Sequence, residues 1–396
     1  MKIVRIETLH ADGGWRIFSF LKLTTDEGLA GWSEYNEGFG VGGVTELIGK
    51  FAPLVVGQDP REVGRLSTTL RAITRLATGG LNHQAIAAIE NACLDVKAKA
   101  LGVPVHALFG GACRDRLGLY WSHCGSFRAW QPDFFERELG LAPVRSLDDV
   151  ARLGREVAAS GFKALKTNPL NLDPGAPRFN GGFRPGPGLI DRHPNARYID
   201  GIKDVLAAFR DGAGPHIGIQ LDLNFNQRTE GFLRIAKALE PFALSWLEID
   251  IEDADALALI RRSTATPIAS LESLHGLRAY RPFLARYAVD VAIVDVLWNG
   301  AWESIRIAAL ADAYEVDVAP HNFTGDLSTL ISANFCAAIP NFRIMEIEVD
   351  DVPWKHELVT VPPKIEDGTL VVPQGPGWGA EVHEEAVRAH PPRVRR

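Results

Sequence analysis

Three short apolar runs, 217-IGIQLDLN-224, 244-LSWLEID-250 and 267-PIASLES-273, decide the fold. Each carries a carboxylate at or near its end: Asp222, Glu248 and Glu272, spaced 26 and 24 residues apart. A strand, a turn and a helix take about 25 residues, so the three acids recur at one point of three successive β/α units. The strand ends of a parallel barrel converge, and three carboxylates there make an oxygen-only cage. Such a cage suits a hard divalent cation such as Mg2+. A solvated loop acid explains any one of them; three in phase need a common cause.

The same alternation extends in both directions. Strands are expected at 117–122, 162–167, 217–224, 244–249, 267–272, 291–296, 316–321 and 343–348, with helices between them, among them 148–160 and 301–314. Eight strands and seven helices give an α/β chain, a (β/α)7β modified TIM barrel whose last helix is missing or replaced. Before the barrel, KIVRIETLH (2–10), FSFLKLTT (18–25) and LAGWSEY (29–35) alternate like antiparallel strands. Residues 83–103 then carry apolar side chains at Ile86, Ile89, Cys93, Val96 and Ala100, an amphipathic helix that stops at Gly102 and Pro104. Residues 168–196, rich in Pro, Gly, Asn and Arg, interrupt the barrel after a strand and read as a lid or a loop. After Asp350 the chain returns to short strands with a hairpin at Glu366-Asp367-Gly368.

Composition removes several functions. With 42 basic and 49 acidic residues the net charge is −7, and no basic stripe carries interleaved aromatics, so no nucleic-acid partner is expected. No run approaches the ~18 apolar residues of a membrane span. Cys93, Cys113, Cys124 and Cys336 form no CxxC pair, which fits a reducing, cytoplasmic setting. The glycines at 38–43 lack a strand–GxGxxG–helix context, which excludes a nicotinamide enzyme. A zinc hydrolase would use several histidines at strand ends, and only His321 lies at one.

Reading the polar residue at each strand end, from the second strand to the eighth, gives Lys166, Asp222, Glu248, Glu272, Asp295, His321 and Glu346. Period-2 geometry aims Asn168 with Lys166, and Asn224 with Asp222. Asp295 and His321 fall on neighbouring strands, where a carboxylate holds an imidazole in one tautomer and raises its basicity.

These residues resemble the enolase superfamily, and within it the mandelate racemase branch. The resemblance covers nearly the whole chain. AIAAIENACLDVKAKALGVPVHALFGG (85–111) is similar to the stretch closing that family's N-terminal domain. Asp222, Glu248 and Glu272 match its Mg2+ ligands, Asp295 with His321 its His–Asp dyad, and Glu346 a late barrel acid that hydrogen-bonds the substrate carboxylate. The resemblance implies an α+β capping domain over 1–115, a barrel over 116–350 and a C-terminal segment, 351–396, packing back on the cap. One position departs. Where the branch carries Lys-x-Lys, this chain has Lys166-Thr167-Asn168, so the second, opposite-face base is missing.

The implied chemistry is abstraction of the proton α to a carboxylate, giving an enediolate. Loss of a β-hydroxyl then yields a 2-keto-3-deoxy acid; return of a proton yields an epimer. The absent second lysine favours dehydration of an acid sugar, with His321 as base and its conjugate acid serving a syn hydroxyl. A racemase, epimerase or cycloisomerase using Lys166 as second proton carrier is the alternative, and a barrel without catalysis a third. Asn168, Asn224 and the insertion residues Asn171, Arg178, Asn180 and Arg184 are expected to bind hydroxyls. Trp15, Arg16, the segment 78–83 and Trp298 are expected to shape the pocket. Relatives are commonly multimers, so a homo-oligomer is expected.

Overall fold

The structure is a computed structural model that describes residues 1–37, 42–170, 172 and 192–393. The insertion residues Asn171, Arg178, Asn180 and Arg184 lie outside that set. Among the described residues no helix is long and apolar enough to cross a membrane.

The chain opens with an antiparallel sheet, β1 (Ile3–Asp12), β2 (Ile17–Thr25) and β3 (Ala30–Asn36). Helices α1 (Val44–Val55), α2 (Val63–Ile73) and α3 (Gly80–Leu101) follow. The sequence reads α3 as amphipathic, and here the structure differs. Residues on every side of α3 are buried, Glu90, Asn91 and Asp95 included. One face packs on β3 and another on the helices of the barrel, so the middle of α3 is enclosed and only its ends reach water. The approach to β3 is close: a Cβ at Gly31 would stand 2.2 Å from the Ala92 carbonyl oxygen.

The barrel strands are β4 (Arg116–Trp121), β5 (Ala164–Thr167), β6 (Gly218–Asp222), β7 (Trp246–Glu248), β8 (Ile268–Ser270), β9 (Val291–Asp295), β10 (Asp317–His321) and β11 (Met345–Ile347). They pair in parallel in chain order, and β11 returns to β4 through Met345↔Leu119. Between β10 and β11 the ring closes through Val318 N to Asn341 O (2.8 Å) and Arg343 N to Val318 O (2.9 Å). The connecting helices are α4 (Ser126–Trp130), α5 (Pro132–Arg137), α6 (Leu147–Ala159), α7 (Ala196–Ala213), α8 (Thr229–Leu239), α9 (Ala254–Arg262), α10 (Leu277–Ala285), α11 (Val296–Asn299), α12 (Ala301–Asp312) and α13 (Asp326–Ala338). After β11 a 3-10 turn, Pro353–Leu358, stands where an eighth helix would start.

Side chains inside the barrel form a core of their own. Tyr120, Ala164, Trp246, Ala269, Val291, Ile293 and Ala319 fill it, with the Tyr120 and Trp246 rings edge to face at 5.5 Å. Strand alternation then dictates what comes next, because the residue two positions on faces the same way. From Tyr120, Ala164, Trp246, Ile293 and Ala319 that step reaches Ser122, Lys166, Glu248, Asp295 and His321. On β8 the step from Ala269 reaches Leu271 and misses Glu272. Leu271 adopts φ 91°, a conformation rare for a bulky residue, and it packs into the outer layer. That twist turns Glu272 inward.

Residues 351–393 bind both the barrel and the cap. The hairpin of β12 (Ile365–Glu366) and β13 (Thr369–Val371) turns at Asp367 and Gly368, φ 48° and 65°, and β13 pairs antiparallel with the start of β4. Further on, Trp378 is fully buried, and its indole donates to Trp32 O (2.9 Å) in the capping sheet. Helix α14 (Glu384–Ala389) packs on β1.

Candidate active site

The polar ring sits one layer above the barrel core. Lys166 at the end of β5 is 2% exposed, with Nζ 3.2 Å from Glu248 Oε2 and 3.0 Å from Glu346 Oε1. Burial alone would lower its pKa, but Glu248 and Glu346 outweigh it and hold the ammonium charged. Glu346 is itself saturated: Ser122 Oγ donates to Oε1 and Asn322 N to Oε2 (2.7 Å). Burial opposes its ionisation, yet Lys166 and the nearby histidines bring it down to about 2.

Asp222 and Glu248 are direct register partners on β6 and β7. Burial, with repulsion among the acids, pushes Asp222 up to about 6, Glu248 up to about 7, and Glu272 upward as well. Asn224 holds Asp222 through N to Oδ1 (2.8 Å) and Nδ2 to Oδ2 (2.9 Å). A fourth acid, Asp250, stands two residues beyond Glu248. It is 1% exposed, no donor among the described residues reaches either oxygen, and burial beside Glu272, with which it can share a proton, Asp222 and Glu248 drives its pKa far up. Buried acids of one sign are costly unless a cation compensates them. An oxygen-only set with an orphaned carboxylate beside it fits a hard divalent ion. Among the described residues no three ligands stand in finished coordination geometry. Glu248 is turned to Lys166, and Glu272 reaches within 3.6 Å of His321 Nε2.

Across the mouth, His321 Nδ1 lies 2.7 Å from Asp295 Oδ2. Asp295 Oδ1 accepts Trp298 N (2.8 Å) and so caps α11, which fixes the carboxylate that fixes the imidazole. Burial would depress His321, but Glu272, Asp295 and Glu346 raise it to about 10. An aromatic wall continues from the ring: Trp298 meets it edge-on at 5.0 Å and Phe323 tilts on it at 4.8 Å. Trp15, from the cap, stacks on Phe127 at 4.1 Å and faces Phe323 at 6.5 Å.

The structure therefore gathers Lys166, Asp222, Glu248, Glu272, Asp295, His321 and Glu346, with Trp298 against His321 and Trp15 beyond Phe323. It uses three expected substrate-binding residues differently. Asn168 is 1% exposed, accepting from Ser126 Oγ (2.8 Å) and donating to Asn224 Oδ1 (3.3 Å), so the two amides satisfy each other and brace Asp222. Arg16 is buried, its guanidinium bound to Phe323 O, Thr324 O and Asp351. It clamps the loop after His321 to the cap. Glu346, expected to hydrogen-bond the substrate, is paired with Lys166.

Sequence reasoning missed Asp250, Ser122, His123 and Glu348. Asp250 had a signal, since it repeats the phase of Glu248. The first strand ends in Ser122 and His123, but its polar end was hidden behind the conspicuous run LYW.

Fold and site together define an enzyme of the enolase superfamily. Residues 13–110 match the mandelate racemase / muconate lactonizing enzyme N-terminal domain, and residues 149–386 the enolase C-terminal domain-like model; the chain belongs to this family. It is 28% identical to a D-xylonate dehydratase of Haloferax volcanii, over 98% of this chain and 89% of that protein. It is 30% identical to a D-galactonate dehydratase family member of Streptomyces bingchenggensis, over 98% and 93%. A crystal structure from Burkholderia xenovorans, described provisionally as an L-alanine-DL-glutamate epimerase and bound to magnesium and fumarate, superposes with a TM-score of 0.94 at 46% identity, covering 99% of this chain and 97% of that one.

Proposed function

We propose that the protein is a Mg2+-dependent acid-sugar dehydratase, converting an aldonate or aldarate to a 2-keto-3-deoxy acid. The observation that carries this reading is the single His–Asp dyad facing a lysine held as a cation, with a buried, amide-paired Asn168 where a second base would stand. Dehydratases of sugar acids among the relatives support the substrate class.

Asp222, Glu248 and Glu272 would hold the ion, with Asp250 beside them. When bound, Mg2+ supplies positive charge that offsets the second negative charge developing on the substrate carboxylate. Lys166 adds a fixed positive charge from the β5 side. His321, oriented by Asp295, takes the α-proton at Nε2. Its raised pKa comes from Glu272, Asp295 and Glu346, so the acids around it set its affinity for the proton. Trp298, Phe323 and Trp15 keep water from the reacting face.

Epimerisation is a second reading, supported by the Burkholderia structure. It needs a second proton carrier, and Lys166, clasped between Glu248 and Glu346, is a poor one. The test is incubation of the protein with Mg2+ and a panel of aldonic and aldaric acids in D2O. Formation of a keto acid supports dehydration. Deuterium at the α-carbon of recovered substrate without keto acid replaces it with epimerisation.

A further inference from the structure

Beyond Ser122, the end of β4 delivers one more group, His123. It lies two residues past β4, and its Nδ1 is 2.7 Å from Oε2 of Glu348, one residue past the neighbouring β11. This is a second His–carboxylate pair on adjacent strands, with the same 2.7 Å contact as His321 and Asp295. Both members are buried, at 8% and 2% exposure. His123 adopts φ 45°, a left-handed conformation unusual for its type and one that clusters at functional sites. Its Nε2 has no partner among the described residues and is not one of the enclosed polar atoms.

The pair is wired to the centre. Ser122 Oγ sits 3.3 Å from His123 Nδ1 and donates to Glu346, which holds Lys166. Phe323 stands between the two histidines, 6.3 Å from one ring and 4.8 Å from the other. Glu346, Lys166, Asp222 and His321 all act electrostatically on His123, which places it at the same mouth. Burial lowers His123 to about 4 and drives Glu348 far above the carboxylate range. Both directions favour an uncharged pair, with the acidic proton on Glu348 facing Nδ1 and an N–H at Nε2.

Hydroxide is a poor leaving group; protonated His321 can serve a β-hydroxyl on its own face, and a hydroxyl on any other face needs a second acid. We propose that His123, backed by Glu348, is the acid that protonates the departing β-hydroxyl. The inference rests on the dehydratase reading. In the step, the β-carbon–oxygen bond breaks and its electron pair stays on oxygen. That oxygen takes the Nε2 proton and leaves as water, while an electron pair of the enediolate forms the carbon–carbon double bond of the enol. The Glu348 proton passes to Nδ1, and solvent later reloads the pair; the enol tautomerises to the keto acid. Glu348 is a positioning residue that also stores the proton.

The experiment compares the full-length Mg2+-loaded wild type with His123→Asn, His123→Gln, Glu348→Gln and His321→Asn, using the best aldonate and its 3-deoxy-3-fluoro analogue. Fluoride leaves without a proton. His123→Asn is expected to lose about 10²–10⁴-fold in keto-acid formation. It should keep α-deuterium exchange and fluoride release near wild type. His321→Asn should lose all three, and Glu348→Gln should follow His123→Asn more weakly, again sparing fluoride release. His123→Gln guards against a folding defect in the shorter variant. Dehydration by both His123 variants at the wild-type rate overturns the proposal, as does parallel loss of all three signals in a variant with native Tm. A wild type that exchanges α-deuterium but forms no keto acid removes the dehydratase reading and the proposal with it.

Discussion

The two halves of the barrel are built to different rules. The half carrying the dyad is gripped by the cap. Glu34 of β3 accepts Gly325 N (2.6 Å) and Ser328 N (2.9 Å) at the start of α13. Glu90 of α3 accepts Trp302 N (3.1 Å) at the start of α12, and Asn91 accepts Ala301 N (2.8 Å) while donating to Val296 O (3.2 Å). Two buried carboxylates thus sit on two helix N-termini, where free N–H groups and the helix dipole favour negative charge. Those helices follow β9 and β10, the strands that end in Asp295 and His321. Among the described residues, the half carrying the acids meets the cap through contacts such as the His83–His275 ring pair at 5.7 Å. A base must be held to a fraction of an ångström, whereas carboxylates can close around an ion as it arrives. The hydrogen-bonded grip is placed beside the dyad.

The largest expected effects come from cutting each half at its centre. His321→Asn should lower α-proton exchange by about 10²–10⁴-fold. It should leave the rise in Tm on adding Mg2+ intact, because binding to the native state stabilises whatever the base is doing. Glu248→Gln should lose activity and the Mg2+-induced rise together. A Glu248→Gln variant with a wild-type Mg2+ response would break the division between the halves.

The division also explains what was legible in the sequence. The barrel, its strands and the seven polar strand ends were readable because period 2 and a repeat near 25 residues are local properties. Glu272 faces the ring for a reason its spacing does not contain, since strict alternation from Ala269 points it outward and the backbone at Leu271 turns it back. The uses of Asn168, Asn224 and Arg16 were not legible. Arg16 depends on partners distant in sequence, Phe323 and Thr324, and the amides of Asn168 and Asn224 on each other across 56 residues. A side chain able to bind a polyol is equally able to cap a carboxylate or tie down a loop, and only packing decides. Glu34 and Glu90 were invisible for the same reason.

Removing a grip should be a middle-sized effect with a distinctive split. Glu90→Ala orphans buried N–H groups at α12 and should cost roughly 1–3 kcal/mol, read by urea unfolding. Gly300→Ala attacks the same contact from the other side: φ is 81°, and a Cβ would stand 2.2 Å from Glu90 Oε1. Both should lower kcat while leaving Mg2+ affinity near wild type. Loss of Mg2+ affinity in step with kcat would show that the two halves are one rigid unit.

The smallest expected effect is in the pH dependence of stability, and it tests the Glu34 grip alone. Burial pushes Glu34 up to about 7 from 4.5, against the hydrogen bonds from Ser328 and Gly325 and the charge of Arg16, which favour ionisation. Between those values the native state binds a proton that the unfolded chain has released. Stability from this group is therefore present at low pH and is lost as pH rises from about 5 to about 7. Glu34→Gln cannot titrate, so its unfolding free energy should fall less than that of the wild type across that window. Parallel profiles would mean that the helix N-terminus of α13 stabilises the carboxylate enough to cancel its burial, and the grip would then hold an ionised Glu34 throughout.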